Sequence, residues 1–87
     1  MRVVIFASIA QKDYEKLAHS NIKIFGKINE LINDIDNHPY TGLGKPEPLK
    51  HELAGFWSRR INSKDRLVYQ ISPKNEIIII SCKGHYS

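Results

Sequence analysis

Glu47, Lys50, His51, Arg66, His85 and Tyr86 are the side chains of this sequence that could act together on a phosphate ester. Glu47 lies between two prolines, Lys50 and His51 follow it, and His85 and Tyr86 stand just ahead of Ser87. They make a mixed set of carboxylate, imidazole, phenol and cations. RNA cleavage without a metal calls for such a set: a base to take the 2′-hydroxyl proton, an acid to protonate the leaving 5′ oxygen, and cations to meet the charge of the phosphorane. Residue types alone do not fix that chemistry. Glu47 also reads as an exposed loop acid, His85 as an ordinary chain-end residue, and Arg66 as a surface charge opposite Asp65 or Glu76.

The surroundings favour a polyanionic partner. Thirteen Lys and Arg against nine Asp and Glu leave a formal charge of +4, and Lys45, Lys50, Arg59, Arg60, Lys64 and Arg66 fall in one stretch beside Phe56 and Trp57. Basic residues interleaved with aromatics suit phosphates and stacked bases. Arg59 and Arg60 are therefore read as RNA-binding, together with Lys50 and His51. Cys82 is the single cysteine, so no internal disulfide can form, and no Cys/His spacing suggests zinc. No metal or cofactor is expected. Residues 1–7 are apolar but too few for a signal sequence, and no window approaches the ~18 apolar residues of a membrane span. A soluble cytoplasmic protein is the expectation, built as a single domain over residues 1–87 because the chain is too short for two cores.

The elements that must position these groups show as periodicities. Val3 to Phe6 reads as a buried first strand. Ser8-Ile-Ala-Gln11 has the form of a capping box, and Ala10, Tyr14, Leu17 and Ala18 make one stripe of a helix of about three turns. Ser20 and Asn21 are cap residues for a longer helix. Its stripe of Phe25, Ile28, Ile32 and Ile35, supplemented by Ile24 and Leu31, runs to Asn37, with the charged face in solvent. Pro39 stops it, because proline disfavours the α conformation of its predecessor. Thr41 to Pro48 reads as a loop. Three strands follow, Phe56 to Ile61, Arg66 to Ile71 and Ile77 to Lys83, separated by turns at Asn62 to Asp65 and Ser72 to Asn75. The last is apolar on both faces at Ile77 to Ile80 and belongs in the middle of a sheet; the second alternates and sets Arg66 on its polar face. The order β-α-α-β-β-β predicts an α+β fold, two N-terminal helices packed on one face of a mostly antiparallel sheet. Trp57 and Tyr69 are assigned to the core or an interface.

Four blocks then carry a family likeness. Lys45-Pro-Glu-Pro-Leu-Lys-His51, Gly55-Phe-Trp-Ser-Arg-Arg-Ile61, Asp65-Arg-Leu-Val-Tyr69 and His85-Tyr86, preceded by Ile28-Asn-Glu-Leu-Ile32, resemble the YoeB toxins of the RelE/ParE superfamily in order and spacing. The similarity extends over roughly two thirds of the chain. It implies a RelE-like, microbial-RNase-like fold and a ribosome-dependent messenger RNA interferase, an endoribonuclease that cuts message in the A site by 2′-hydroxyl attack and so inhibits translation. It implies Glu47 as general base, His85 as general acid, Arg66 on the scissile phosphate and Tyr86 orienting that phosphate or the neighbouring base. Lys50 and His51 would support the site, and Arg60 would touch RNA or the ribosome. The partners implied are messenger RNA, the ribosome and a YefM-like antitoxin whose acidic segment folds over the basic sheet face. Operator DNA would be reached only through the antitoxin complex, a homodimer is a further assembly, and no membrane is involved. Gly84 and Ser87 frame the His-Tyr pair differently from the usual family ending, and Phe6 and Leu17 stand where such toxins often have tryptophan.

The residues themselves leave two other functions open. A topoisomerase poison of the ParE kind shares the fold without an RNase set. A non-catalytic RNA- or ribosome-binding module would keep the cations and aromatics but have no use for Glu47 and His85 together.

Overall fold

Apolar residues alternating along the strands decide which side of the sheet the helices cover. The computed structural model describes residues 1–84. Its elements are β1 (Val4–Phe6), α1 (Ser8–Ser20), α2 (Ile22–Asn37), β2 (Glu47–Pro48), a 3₁₀ turn (His51–Leu53), β3 (Trp57–Arg60), β4 (Arg66–Ile71) and β5 (Ile77–Ser81). The strands form one sheet in the order β1-β5-β4-β3-β2, antiparallel except for β1 alongside β5. Leu67 and Tyr69 of β4 and Ile77 and Ile79 of β5 meet Ala10 of α1 and Ile28, Leu31 and Ile35 of α2 in one buried cluster. Because neighbouring strand residues point to opposite faces, Arg66, Val68 and Gln70 stand on the face away from the helices. This is the α+β arrangement expected from the sequence.

Helix boundaries follow local chemistry, with one exception. The Asn21 side chain accepts the Ile24 N–H at 3.2 Å and caps α2, and α2 ends at Asn37, two residues before Pro39. At α1 the capping box does not form. Ala7 holds the N-cap position with no side-chain bond, Ser8 is already helical, and the Gln11 amide reaches Glu15 instead. The start of α1 therefore lacks a cap worth about 1 kcal/mol. None of the helices described is long and apolar enough to cross a membrane.

Two strands differ from expectation. β1 is not buried but lies at the sheet edge, with Val3 63%, Val4 36% and Ile5 40% exposed. The segment read as a loop ends in β2, a two-residue strand that pairs Glu47 with Ser58 and Pro48 with Trp57. β5 is interior, as expected, between β1 and β4. Its register against β4 slips once: Tyr69 faces Ile79, while Val68 faces Ser81. The extra residue reverses the alternation. Ser81 consequently shares Val68's face, and Cys82 turns into the helix-side core, where its Sγ donates to the Ala10 carbonyl.

Candidate active site on the open sheet face

Register and pleat place three of the sequence-selected side chains on the face away from the helices, where Glu47 and Arg60 are exposed while Ser58, Val68 and Ser81 are buried. Glu47 of β2, Ser58 of β3, Val68 of β4 and Ser81 of β5 form one row across the sheet. Arg60 and Arg66 face each other in the next row, two residues along β3 and β4. Directly opposed like charges are unfavourable in a bare sheet. Among the described residues no carboxylate forms an ion pair with either arginine. Arg66 Nη1 makes only long contacts, 3.4 Å each, to the carbonyls of Asn62 and Asp65. The alternative pairings of Arg66 with Asp65 or Glu76 do not occur: the Asp65 carboxylate binds Asn62 and Gly84, and Glu76 accepts from Ser72. One exposed carboxylate therefore lies beside a pair of guanidinium groups that no acid pairs among the described residues, an arrangement suited to a bound phosphate and a nearby proton acceptor.

Lys50 and His51 lie exposed on the turn between β2 and β3. That turn is closed by Leu49 N–H donating to the Phe56 carbonyl at 2.9 Å and by the 3₁₀ bonds Leu53 to Lys50 and Ala54 to His51. His51 adopts φ +59 there, the left-handed region uncommon for a residue with a side chain. His85 and Tyr86 lie outside the described residues. The chain leading to them is tied down at Gly84, whose carbonyl accepts the Arg66 N–H at 2.9 Å and whose N–H donates to Asp65 Oδ1 at 2.9 Å.

Arg59 is a correction to the RNA-binding set. It alternates with Arg60, so it points to the helix side, where it is 0% exposed. All five of its N–H groups find acceptors: Nε donates to Tyr69 Oη, Nη1 to Asp34 Oδ2 and the Leu43 carbonyl, and Nη2 to the carbonyls of His38 and Thr41. A guanidinium so enclosed has no donor left for RNA. Its role is to bind the 38–44 loop to α2 and β3. Asp34, assigned with the solvated face of α2, is its ion partner at 2.5 Å. Sequence reading missed Asp34, and it missed Asp65 as the residue that holds Gly84.

Three groups of the core and the loop beside it, Asp34, Tyr69 and Cys82, are shifted from their ordinary values. The Leu43 N–H on Asp34 lowers its carboxyl below the usual range, against opposition from burial and with help from the Arg59 hydrogen bond and charge. Burial raises the Tyr69 phenol. Burial likewise pushes the Cys82 thiol up to about 11, so it is a neutral core group rather than a nucleophile.

Comparisons with known proteins bear on the family and the fold. The family described as YoeB-like toxin of bacterial type II toxin-antitoxin system matches residues 6–86. A curated relative, Toxin YoeB of Synechocystis sp., is 46% identical over 83 residues, covering 95% of each chain. Among solved structures, a YoeB/ParE toxin from Agrobacterium tumefaciens superposes with a TM-score of 0.93 at 39% identity, covering 99% of this chain and 100% of that one. A YoeB-YefM complex from Staphylococcus aureus gives 0.91 at 45% identity, with 99% of each chain covered. A YoeB dimer from the same organism gives 0.91 at 44%, with 98% of each covered. A match over nearly the whole chain, in sequence and in fold, settles the membership: this protein belongs to the YoeB-like toxins of bacterial type II toxin–antitoxin systems.

Proposed function

We propose that the protein is a ribosome-dependent messenger RNA endonuclease working by general acid–base catalysis, acting as one toxin domain in the cytoplasm and restrained by an antitoxin. The observation that carries this reading is the Glu47 carboxylate one row from the opposed Arg60 and Arg66, with no acid pairing those cations among the described residues. In the proposed step Glu47 takes the proton of the 2′-hydroxyl, and the 2′ oxygen forms a bond to phosphorus. The bond from phosphorus to the 5′ oxygen breaks, His85 gives that oxygen a proton, and the products are a 2′,3′-cyclic phosphate and a 5′-hydroxyl. Arg66, Arg60 and Lys50 meet the negative charge of the phosphorane, while Tyr86 and His51 orient the nucleotide.

A positioned acid or base contributes about 10² to 10⁴ in rate. Glu47→Gln and His85→Gln should each lose that much while remaining folded, and Arg66→Ala should lose about 10² to 10³ as a charge stabiliser. Primer extension on message translated by purified ribosomes tests this. Cuts at A-site codons that vanish in these variants are expected. A folded wild type that cuts nothing would reject the reading and favour a topoisomerase poison or a non-catalytic ribosome-binding module.

The inhibitor is a YefM-like antitoxin with an acidic segment that orders on the basic open face. The Staphylococcus aureus relative bound to YefM supports this partner, and the dimer of the same relative supports self-association. Operator DNA is contacted through the antitoxin complex alone. A complex that cuts message as fast as the free toxin would contradict occlusion of the open face.

A further inference from the structure

We propose that Asp65 is a positioning residue for the general acid, holding the chain segment that delivers His85 against the strand that carries Arg66. This inference rests on the proposed function. Asp65 is the last residue of the turn before β4, and its carboxylate is used on both sides. Oδ1 accepts the Gly84 N–H at 2.9 Å, and Oδ2 accepts the Asn62 side-chain amide at 3.2 Å. Asn62 in turn fixes the turn, its Oδ1 accepting from the N–H of Lys64 at 2.9 Å and of Asp65 at 2.7 Å. On the other strand, Ser81 Oγ donates to the Lys83 carbonyl at 3.0 Å. Gly84 adopts φ +88, a conformation that favours glycine. Its N–H goes to the Asp65 carboxylate and its carbonyl to the Arg66 N–H.

The consequence is a clip. The residue bonded to His85 is attached at both of its peptide groups to the pair Asp65-Arg66, and the Asp65 carbonyl also meets the Arg66 guanidinium. The anchor of the proposed acid and the proposed phosphate ligand thus share one fixed frame. Backbone supplies the bond through Arg66 N–H, whereas the bond through Asp65 depends on a side chain that substitution can remove. Misplacing a catalytic group by about 1 Å can cost about 10²-fold in rate.

Single-turnover cleavage on programmed ribosomes tests the role, with circular dichroism melting as the folding control. Asp65→Ala should slow cleavage by about 10- to 100-fold while leaving the half-saturating toxin concentration within about twofold. Asp65→Asn keeps an oxygen for the Gly84 N–H and should stay within about threefold of wild type. In a His85→Gln background, Asp65→Ala should slow the residual reaction no further, because the two residues act as one unit. Should the alanine variant fail to fold, Asp65→Ser, which keeps a polar side chain in the turn but is too short to reach Gly84, takes its place. Amide exchange at Gly84, protected in wild type and fast in Asp65→Ala, reads the clip independently of activity. A cutting wild type whose folded Asp65→Ala is equally fast, or slows equally in both backgrounds, overturns the role alone. A wild type that cuts nothing overturns the proposed function itself.

Discussion

Removing the Arg59 guanidinium would take five donated hydrogen bonds from Asp34, Tyr69 and three loop carbonyls. Truncating one partner of a buried ion pair costs about 3–5 kcal/mol, so Arg59→Ala should lose most of a small domain's stability in urea denaturation. Arg59→Lys should recover little, since an ammonium offers three donors in place of a five-donor fork. Arg60→Ala, on the exposed face, should change stability by no more than about 0.5 kcal/mol and should weaken cleavage instead. A stable, fully folded Arg59→Ala would refute this division. The difference between the neighbours was legible in principle. Trp57, Arg59 and Ile61 alternate along one strand, and two of them are apolar, which assigns Arg59 to the core side. Counting it with a basic cluster ignored that phase. Glu47, Lys50, Arg60 and Arg66 were selected by type and motif, and the sheet brings Glu47, Arg60 and Arg66 to one face. His85 and Tyr86 rest on the motif.

At the scale of elements, the 38–46 segment is a shaped support for β2. Gly42 has φ +110, and a β-carbon there would lie 2.2 Å from Asp34 Oδ2. Gly42→Ala should therefore cost about 1–3 kcal/mol, read as a lower melting temperature, and a variant that melts like wild type would show that the loop relaxes freely. Helix α2 and strand β4 were readable because many residues repeat with one period, and β5 because its four isoleucines make an unbroken apolar run. β2 was not, because two residues, one of them proline, have no period, and the strand exists only where β3 presents an edge. β1 was misjudged for a related reason. An apolar run signals a strand, but whether it ends inside the sheet or at its rim depends on contacts far along the chain. The α1 cap failed because Ala7, bonded to β5 through its own N–H, already sets where the helix begins.

For the molecule as a whole, the Arg59 network predicts how stability follows pH. Asp34 titrates lower in the fold than in the unfolded chain. Its contribution is therefore complete above the unfolded value of about 4 and is lost as pH falls through the folded one. Urea midpoints should drop between pH 5 and pH 3 by more in wild type than in Asp34→Asn, and equal drops would assign the acid sensitivity elsewhere. The buried Cys82 thiol should resist iodoacetamide in the native protein and react on unfolding, and rapid native labelling would contradict its place in the core. Antitoxin binding should raise the melting temperature, since a partner at a hundredfold excess over its Kd adds about 2.7 kcal/mol.

The pairing of Val4 with Ile77, Ile5 with Ile78 and Phe6 with Ile79 also bears on synthesis. β1 has no strand neighbour until β5 has been made, and the sheet is incomplete before then. Contacts between distant parts of a chain form slowly, so this pairing, unlike the sequence-adjacent hairpins β3–β4 and β4–β5, should be among the last to form as the chain folds.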